Sequence, residues 1–155
     1  MHALQRLLVA TDFSPCADAA AALAAQLARQ LPAALHVMTM VDTSAVRDAA
    51  GGADVGALRI DALLAQARQR LQAFAEGHFA GIEPVHLEVV DGGADPDACA
   101  DILRAGTRLG CDLIVLGTHG RSGLDHLVFG SVAEKVVRSS PIPTLTVRRP
   151  AAPGG

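Results

Sequence analysis

The amino-acid sequence predicts an α/β fold, an open five-stranded parallel sheet with helices on both faces. Two observations carry the prediction. Short apolar runs alternate with longer stretches of helical period along the whole chain, which is the pattern of a parallel sheet whose strands are covered on both sides. One of those runs, Leu113 to Leu116, leads into a glycine-rich loop and then a helical stretch within Cys111 to Val137, CDLIVLGTHGRSGLDHLVFGSVAEKVV. Strand, glycine loop and helix together hold anions beyond the carboxyl end of such a sheet.

The elements follow in order. Residues 5–10, QRLLVA, read as a short buried strand. Thr11-Asp12-Phe13-Ser14-Pro15 is a turn, with Ser14 a good N-cap and Pro15 at the first helical position. An alanine-rich helix carries Ala20, Leu23, Leu27 and Leu31 on one stripe. Leu35 to Val41 is the second strand, and its end, Met40-Val41-Asp42, would reach the same edge of the sheet. Residues 43–57 are small and glycine-containing and read as a mobile loop. Ile60, Leu63, Leu64, Ala67, Leu71 and Phe74 give the clearest helical period in the chain. A third strand lies near Pro84 to Val90. After Asp95-Pro96 a helix places Cys99, Ile102, Leu103, Gly106 and Leu109 on one face. The fourth strand and its helix, with Val132, Val136 and Val137 on one side, are the glycine-loop segment. Residues 143–148, PTLTVR, form a fifth strand. Residues 1–149 are expected to make one domain and 150–155 a disordered tail.

Composition narrows the function. Half the residues are hydrophobic, 19% are charged, and Trp and Tyr are absent, so the core is built from Ala, Leu and Val with four Phe. No apolar run is long enough to span a membrane, and the N-terminus has no signal-peptide plan. Three cysteines at no metal-like spacing read as reduced, buried thiols of a cytosolic protein. Residues 1–103 carry 6 basic and 13 acidic side chains, whereas residues 104–155 carry 7 and 3. The positive third contains the glycine loop, which suits a polyphosphate. No basic cluster or aromatic platform suggests a nucleic-acid partner.

The loop offers a backbone that comes close to its ligand, unpaired N–H groups at a helix start, the cation Arg121, and the hydroxyls Thr118, Ser122 and Ser131. Its spacing is Gly117, two residues, Gly120, nine residues, Gly130, then Ser131. A Walker loop would need a lysine directly after its second glycine, but Lys135, the only lysine, falls inside the helix pattern. A dinucleotide fingerprint would need glycines after the first strand, and Thr11 to Ser14 has none. A plainer reading stays open, in which Gly117 and Gly120 end a strand and Ser131 caps a helix through Ser131-Val132-Ala133-Glu134. His119 is read as solvent-facing or at a ligand's edge.

The G-x2-G-x9-G pattern with its following hydroxyl resembles the nucleotide-binding signature of the universal stress protein family, in its ATP-binding branch. The segments LLVATDFS, LHVMTMVD, DLIVLGTHGRSG, FGSVAEKVV and SSPIPTLTVR look like that family's segments in their usual order, so the resemblance covers nearly all of 1–149. It implies a Rossmann-like sheet of the adenine nucleotide alpha-hydrolase kind in order 3-2-1-4-5, ATP at the switch point, and a homodimer. Mg²⁺ on the phosphates is expected with the ATP, and the fifth, C-terminal strand, Pro143 to Arg148, an edge that no later element covers, is the expected dimer contact. By position, it places Asp12 near the ribose or phosphates. Met40 and Val41 would offer backbone groups to adenine. Gly117, Gly120, Arg121, Ser122, Gly123, Gly130, Ser131 and Val132 would line the phosphates. The expected function is a cytoplasmic, nucleotide-responsive stress module with at most slow ATP hydrolysis. The alternatives are a nucleotide hydrolase or nucleotidyl transferase on the same fold, and a ligand-free dimeric interaction protein.

Overall fold

A computed structural model describes residues 3–49, 53–120 and 129–150. Five parallel strands, β1 (Arg6–Ala10), β2 (Ala34–Val41), β3 (Val85–Asp91), β4 (Leu113–Gly117) and β5 (Thr144–Val147), form one sheet in the order β3-β2-β1-β4-β5. The central strand β1 pairs on one side with β2, Leu7 opposite Leu35 and Val9 opposite Val37, and on the other with β4, Leu7 opposite Leu113 and Val9 opposite Val115. The chain runs outward from β1 in one direction through β3, then returns to add β4 on the other side. The sheet therefore has its switch point between β1 and β4, at their carboxyl ends.

Helices α1 (Pro15–Gln30) and α3 (Ala53–His78) cover one face of the sheet, and α4 (Ala98–Leu109) and α5 (Ser131–Ser139) cover the other. Alternate residues of each strand feed the two cores: Leu7, Val9, Leu35, Val37 and Val115 point to α1 and α3, while Leu8, Met38, Ile114 and Leu116 point to α4 and α5. At α1, Ser14 accepts the Ala17 N–H (3.3 Å) and Pro15 opens the helix.

The predicted stripe of α1 is only partly its buried face. Ala17, Ala20, Ala21, Ala24 and Ala25 are buried, whereas Leu23 and Leu27 are half-buried. Small residues face the sheet because α1 lies close to it: a Cβ at Gly117 would stand 2.7 Å from Cys16.

Residues 43–57 are not one loop. Helix α2 (Ser44–Ala49) occupies its first part and α3 begins at Ala53. Asp42 starts α2 by accepting both the Ser44 N–H (2.9 Å) and the Ser44 hydroxyl (2.6 Å). Gly56 lies within α3 and is buried; one glycine costs a helix about 1 kcal/mol against alanine, which 26 residues of helix absorb. The apolar side of α5 also divides differently from the prediction. Val136 and Ala133 are buried, but Val132 and Val137 are 38% and 50% exposed, and Val132 lines the cleft described next.

Candidate functional site

The carboxyl ends of β1, β2 and β4 surround a cleft of about 340 Å³, within the range of small-molecule sites. Its floor carries three buried threonines, Thr11, Thr39 and Thr118, one from each strand end. Two of them extend the ladder: Thr11 N–H donates to Met38 O and Thr118 N–H to Val147 O, both at 2.9 Å.

One wall is polar and made largely of backbone. Asp12 Oδ1 accepts the Ser14 N–H (3.0 Å), so Asp12 is the turn former its position suggests. Its other oxygen faces across the switch point, 2.7 Å from where a Cβ on Gly120 would stand. Ser14 also binds the β4 loop, donating its hydroxyl to His119 O at 3.4 Å. Gly120 and Gly130 do not have positive φ; both are glycines because other groups approach them. A Cβ at Gly130 would meet Thr118 O at 3.2 Å, and the Gly130 N–H already donates to that carbonyl at 2.6 Å.

Gly130, not Ser131, is the N-cap of α5, and among the described residues no side chain makes a capping hydrogen bond to it. The capping-box expectation at Ser131 therefore fails, for a physical reason. The tie to Thr118 draws Gly130 into the half-helical position, leaving Ser131 inside the first turn with its hydroxyl free of capping duty. With Gly130 as cap, the N–H groups of Ser131, Val132 and Ala133 lack intrahelical acceptors and carry the positive end of the helix dipole.

The other wall is apolar. Met38 and Met40 of β2 and Ala98 and Ile102 of α4 line it. Its outer edge is held by a polar knot between the β2 and β3 ends. The Thr43 hydroxyl, fully buried, donates to Asp91 Oδ1 (2.6 Å) and accepts from Arg47 Nε (3.0 Å). Arg47 Nη2 reaches Asp91 Oδ2 at 2.6 Å. Hydrogen bonding from Thr43, followed by smaller contributions from Gly93 and Arg47, holds the Asp91 carboxyl below its usual range. Beside the knot, Gly92 N–H donates to Val41 O (2.8 Å), and a Cβ on Gly92 would meet Met40 Sδ at 2.8 Å.

Of the residues expected at a site, Asp12, Met40, Gly117, Thr118, His119, Gly120, Gly130, Ser131 and Val132 line this one cleft. His119 Nδ1 lies 3.0 Å from the Thr118 hydroxyl. Val41 does not line the cleft, and its carbonyl is taken by Gly92. Arg121, Ser122 and Gly123 lie outside the described residues. Thr11, Thr39, Ala98 and Ile102 line the cleft without having been expected there. Among the described residues no three His, Cys, Asp or Glu side chains are grouped to hold a metal ion, and no helix is long and apolar enough to cross a membrane.

Comparison with known proteins agrees with this architecture. Over 148 residues the chain is 27% identical to Universal stress protein MJ0531 of Methanocaldococcus jannaschii, covering 94% of this chain and 83% of that one. The solved structure of MJ0577 from the same organism shares the fold, with a TM-score of 0.80 at 19% identity over 97% of this chain and 100% of that one. A universal stress protein solved in complex with cAMP is 25% identical, with a TM-score of 0.61 over 96% of this chain and 100% of the other. Residues 3–148 match the universal stress protein family, and the chain belongs to it.

Proposed function

We propose that the cleft binds ATP and that the protein is a nucleotide-responsive stress module with at most slow hydrolysis. The observation that carries this reading is the cleft's division into two chemically different walls at the switch point. The apolar wall of Met38, Met40, Ala98 and Ile102 suits a planar base. The opposite wall presents the N-terminal turn of α5, the Ser131 and Thr118 hydroxyls and the approachable backbone of Gly120, which suits a phosphate chain. Asp12 stands between them, within reach of a ribose hydroxyl or of Mg²⁺ carried on the phosphates. The ion would take most of its oxygens from phosphate and water. The cAMP complex of a 25% identical relative supports an adenine nucleotide as the ligand.

Each group has a stated task. The α5 turn neutralises phosphate charge, Asp12 orients the ribose or the ion, and Ile102 and Met40 exclude water from the base. The test is calorimetry or dye melting with Mg·ATP, since the chain has no Trp. Ligand at a hundred times its dissociation constant should stabilise the fold by about 2.7 kcal/mol. No shift at millimolar Mg·ATP would end this reading, and turnover above about 1 s⁻¹ would replace it with a true hydrolase.

We also propose that the protein is a homodimer through β5. This strand is an edge of the sheet, and Thr144 to Val147 are all half-buried. Pro143 O and Val147 O both accept from the β4 side, so the alternation of a parallel ladder turns the N–H and C=O groups of Thr144 and Thr146 outward. Such an edge is usually covered, and a second copy can cover it about a two-fold axis. Thr146→Pro removes an outward donor and leaves the ladder intact. A folded variant that still sediments as a dimer would place the interface elsewhere.

A further inference from the structure

We propose that α3 positions Asp12 in the cleft through Phe13, with Phe13 and Arg70 acting as positioning residues. The effect on affinity rests on the nucleotide reading above; the effect on the turn does not. Phe13 has φ +63°, and no other non-glycine residue among those described has a positive φ. A bulky side chain in the left-handed region is strained and persists only where its surroundings hold it.

Three contacts hold it. The Phe13 N–H donates to Thr11 Oγ1 at 2.9 Å. The Phe13 ring meets Phe74 of α3 edge-on, with centroids 5.6 Å apart and planes at 79°. The Arg70 guanidinium, also on α3, lies over the ring 4.4 Å from its centre. Helix α3 is itself fixed: Leu71 and Phe79 are in the core, Phe74 packs on Phe79 at 6.3 Å, and His78 reaches Asp18 of α1 at 3.1 Å. The residue before Phe13 is the one whose carboxylate crosses the switch point. Relaxing Phe13 to an ordinary φ rotates the peptide joining it to Asp12, breaks the Asp12 bond to the Ser14 N–H, and moves the carboxylate off Gly120. A helix on the far face of the sheet thereby sets a polar group inside the cleft.

The test compares Phe13→Ala, Phe13→Gly, Arg70→Ala and Arg70→Lys by titration calorimetry with Mg·ATP. Amide hydrogen exchange at residues 13 and 14 is measured in parallel on the nucleotide-free protein. Phe13→Ala removes the clamp and keeps the steric penalty, so affinity should fall roughly tenfold and both amides should exchange faster. Phe13→Gly can adopt the left-handed turn freely and should lose less than the alanine variant. Arg70→Ala should cost roughly twofold to fivefold, and Arg70→Lys, which keeps a cation over the ring, should restore most of it. A residue that merely packs would lower the melting temperature and leave affinity and the two amides unchanged, which overturns the proposal. Arg70 is exposed, so its alanine variant folds and decides the matter even where a Phe13 variant does not. If the wild-type protein binds no adenine nucleotide, the reading of the cleft fails, while faster exchange at residues 13 and 14 still establishes the clamp.

Discussion

On its β4 side the cleft is walled by main chain, and on its β2–β3 side by side chains. Gly120 and Gly130 bring backbone so close to Asp12 and Thr118 that no Cβ fits without a shift, and among the described residues no side chain caps the N–H groups of the α5 turn. Across the cleft, Met40, Ala98 and Ile102 form a surface whose edge is pinned by Thr43, Arg47 and Asp91. A backbone wall has fixed donors and little freedom to choose among anions. A side-chain wall can be recut by substitution, so under the proposed nucleotide reading discrimination between bases belongs there.

The largest test of this contrast separates glycines within one wall. Gly117→Ala should cost about 3 kcal/mol of stability, because the new methyl would meet Cys16 backbone at 2.7 Å and α1 must move. The melting temperature should drop by roughly 6–12 °C. Among the described residues, Gly120→Ala meets only the Asp12 carboxylate, also at 2.7 Å. It should leave the melting temperature nearly unchanged and weaken Mg·ATP binding roughly tenfold by displacing that group. If both variants behave alike, the two glycines do one job and the contrast collapses.

A smaller effect is expected across the cleft. Thr43→Val leaves Asp91 and Arg47 each short of a partner, at a cost of about 1 kcal/mol. ATP affinity should fall roughly threefold as the apolar edge loosens, while inorganic tripolyphosphate, which has no base, should bind as before. Equal losses for both ligands, read by calorimetry, would mean the walls are not independent.

The smallest effect lies outside both walls. His36, near the amino end of β2, stacks on His86 of β3 with ring centres 4.8 Å apart. Burial first, then the charges of His86 and Arg6, push its pKa below the ordinary 6.5, with Glu88 opposing. The folded protein therefore binds fewer protons here than the unfolded chain, so stability is complete above 6.5 and declines as the pH falls through that value. A shallow decline that His36→Gln flattens, with ATP affinity unchanged by that substitution, is the outcome to look for in melts between pH 7 and pH 5 (an interval chosen about the ordinary histidine pKa).

The sequence made these regions legible to different degrees. The backbone wall announces itself, since glycines and hydroxyls at fixed spacing have few other reasons to occur together. The side-chain wall does not. Ala98 and Ile102 follow the same helical period as the core residues Cys99 and Gly106, and only the third dimension shows that one edge of α4 faces a cleft. Thr11 and Thr39 are hidden for a similar reason: a threonine at a strand end is ordinary β composition. Alternation implied the parallel sheet and the family resemblance its strand order, and both are observed. Helix α2 escaped because six residues give too short a window for periodicity, and the glycines beside it read as loop. The strain at Phe13 has no signature in composition at all.

The placement of β1 at the centre of the sheet has a consequence during synthesis. β3, β2 and β1 can pair as soon as residue 91 has left the ribosome, but the second edge of β1 waits for β4, which ends at residue 117. At ordinary elongation rates that wait lasts roughly 1–5 seconds. Through it, Leu7, Leu8 and Val9, which the finished protein buries completely, border an open edge in the nascent chain. The cleft is later still, because its last wall, Ser131 to Ala133, is translated after every other group that lines it. A ligand bound in the cleft would therefore stabilise the completed chain but could not guide its first half into shape, and protection of that early edge falls to whatever meets the chain at the ribosome.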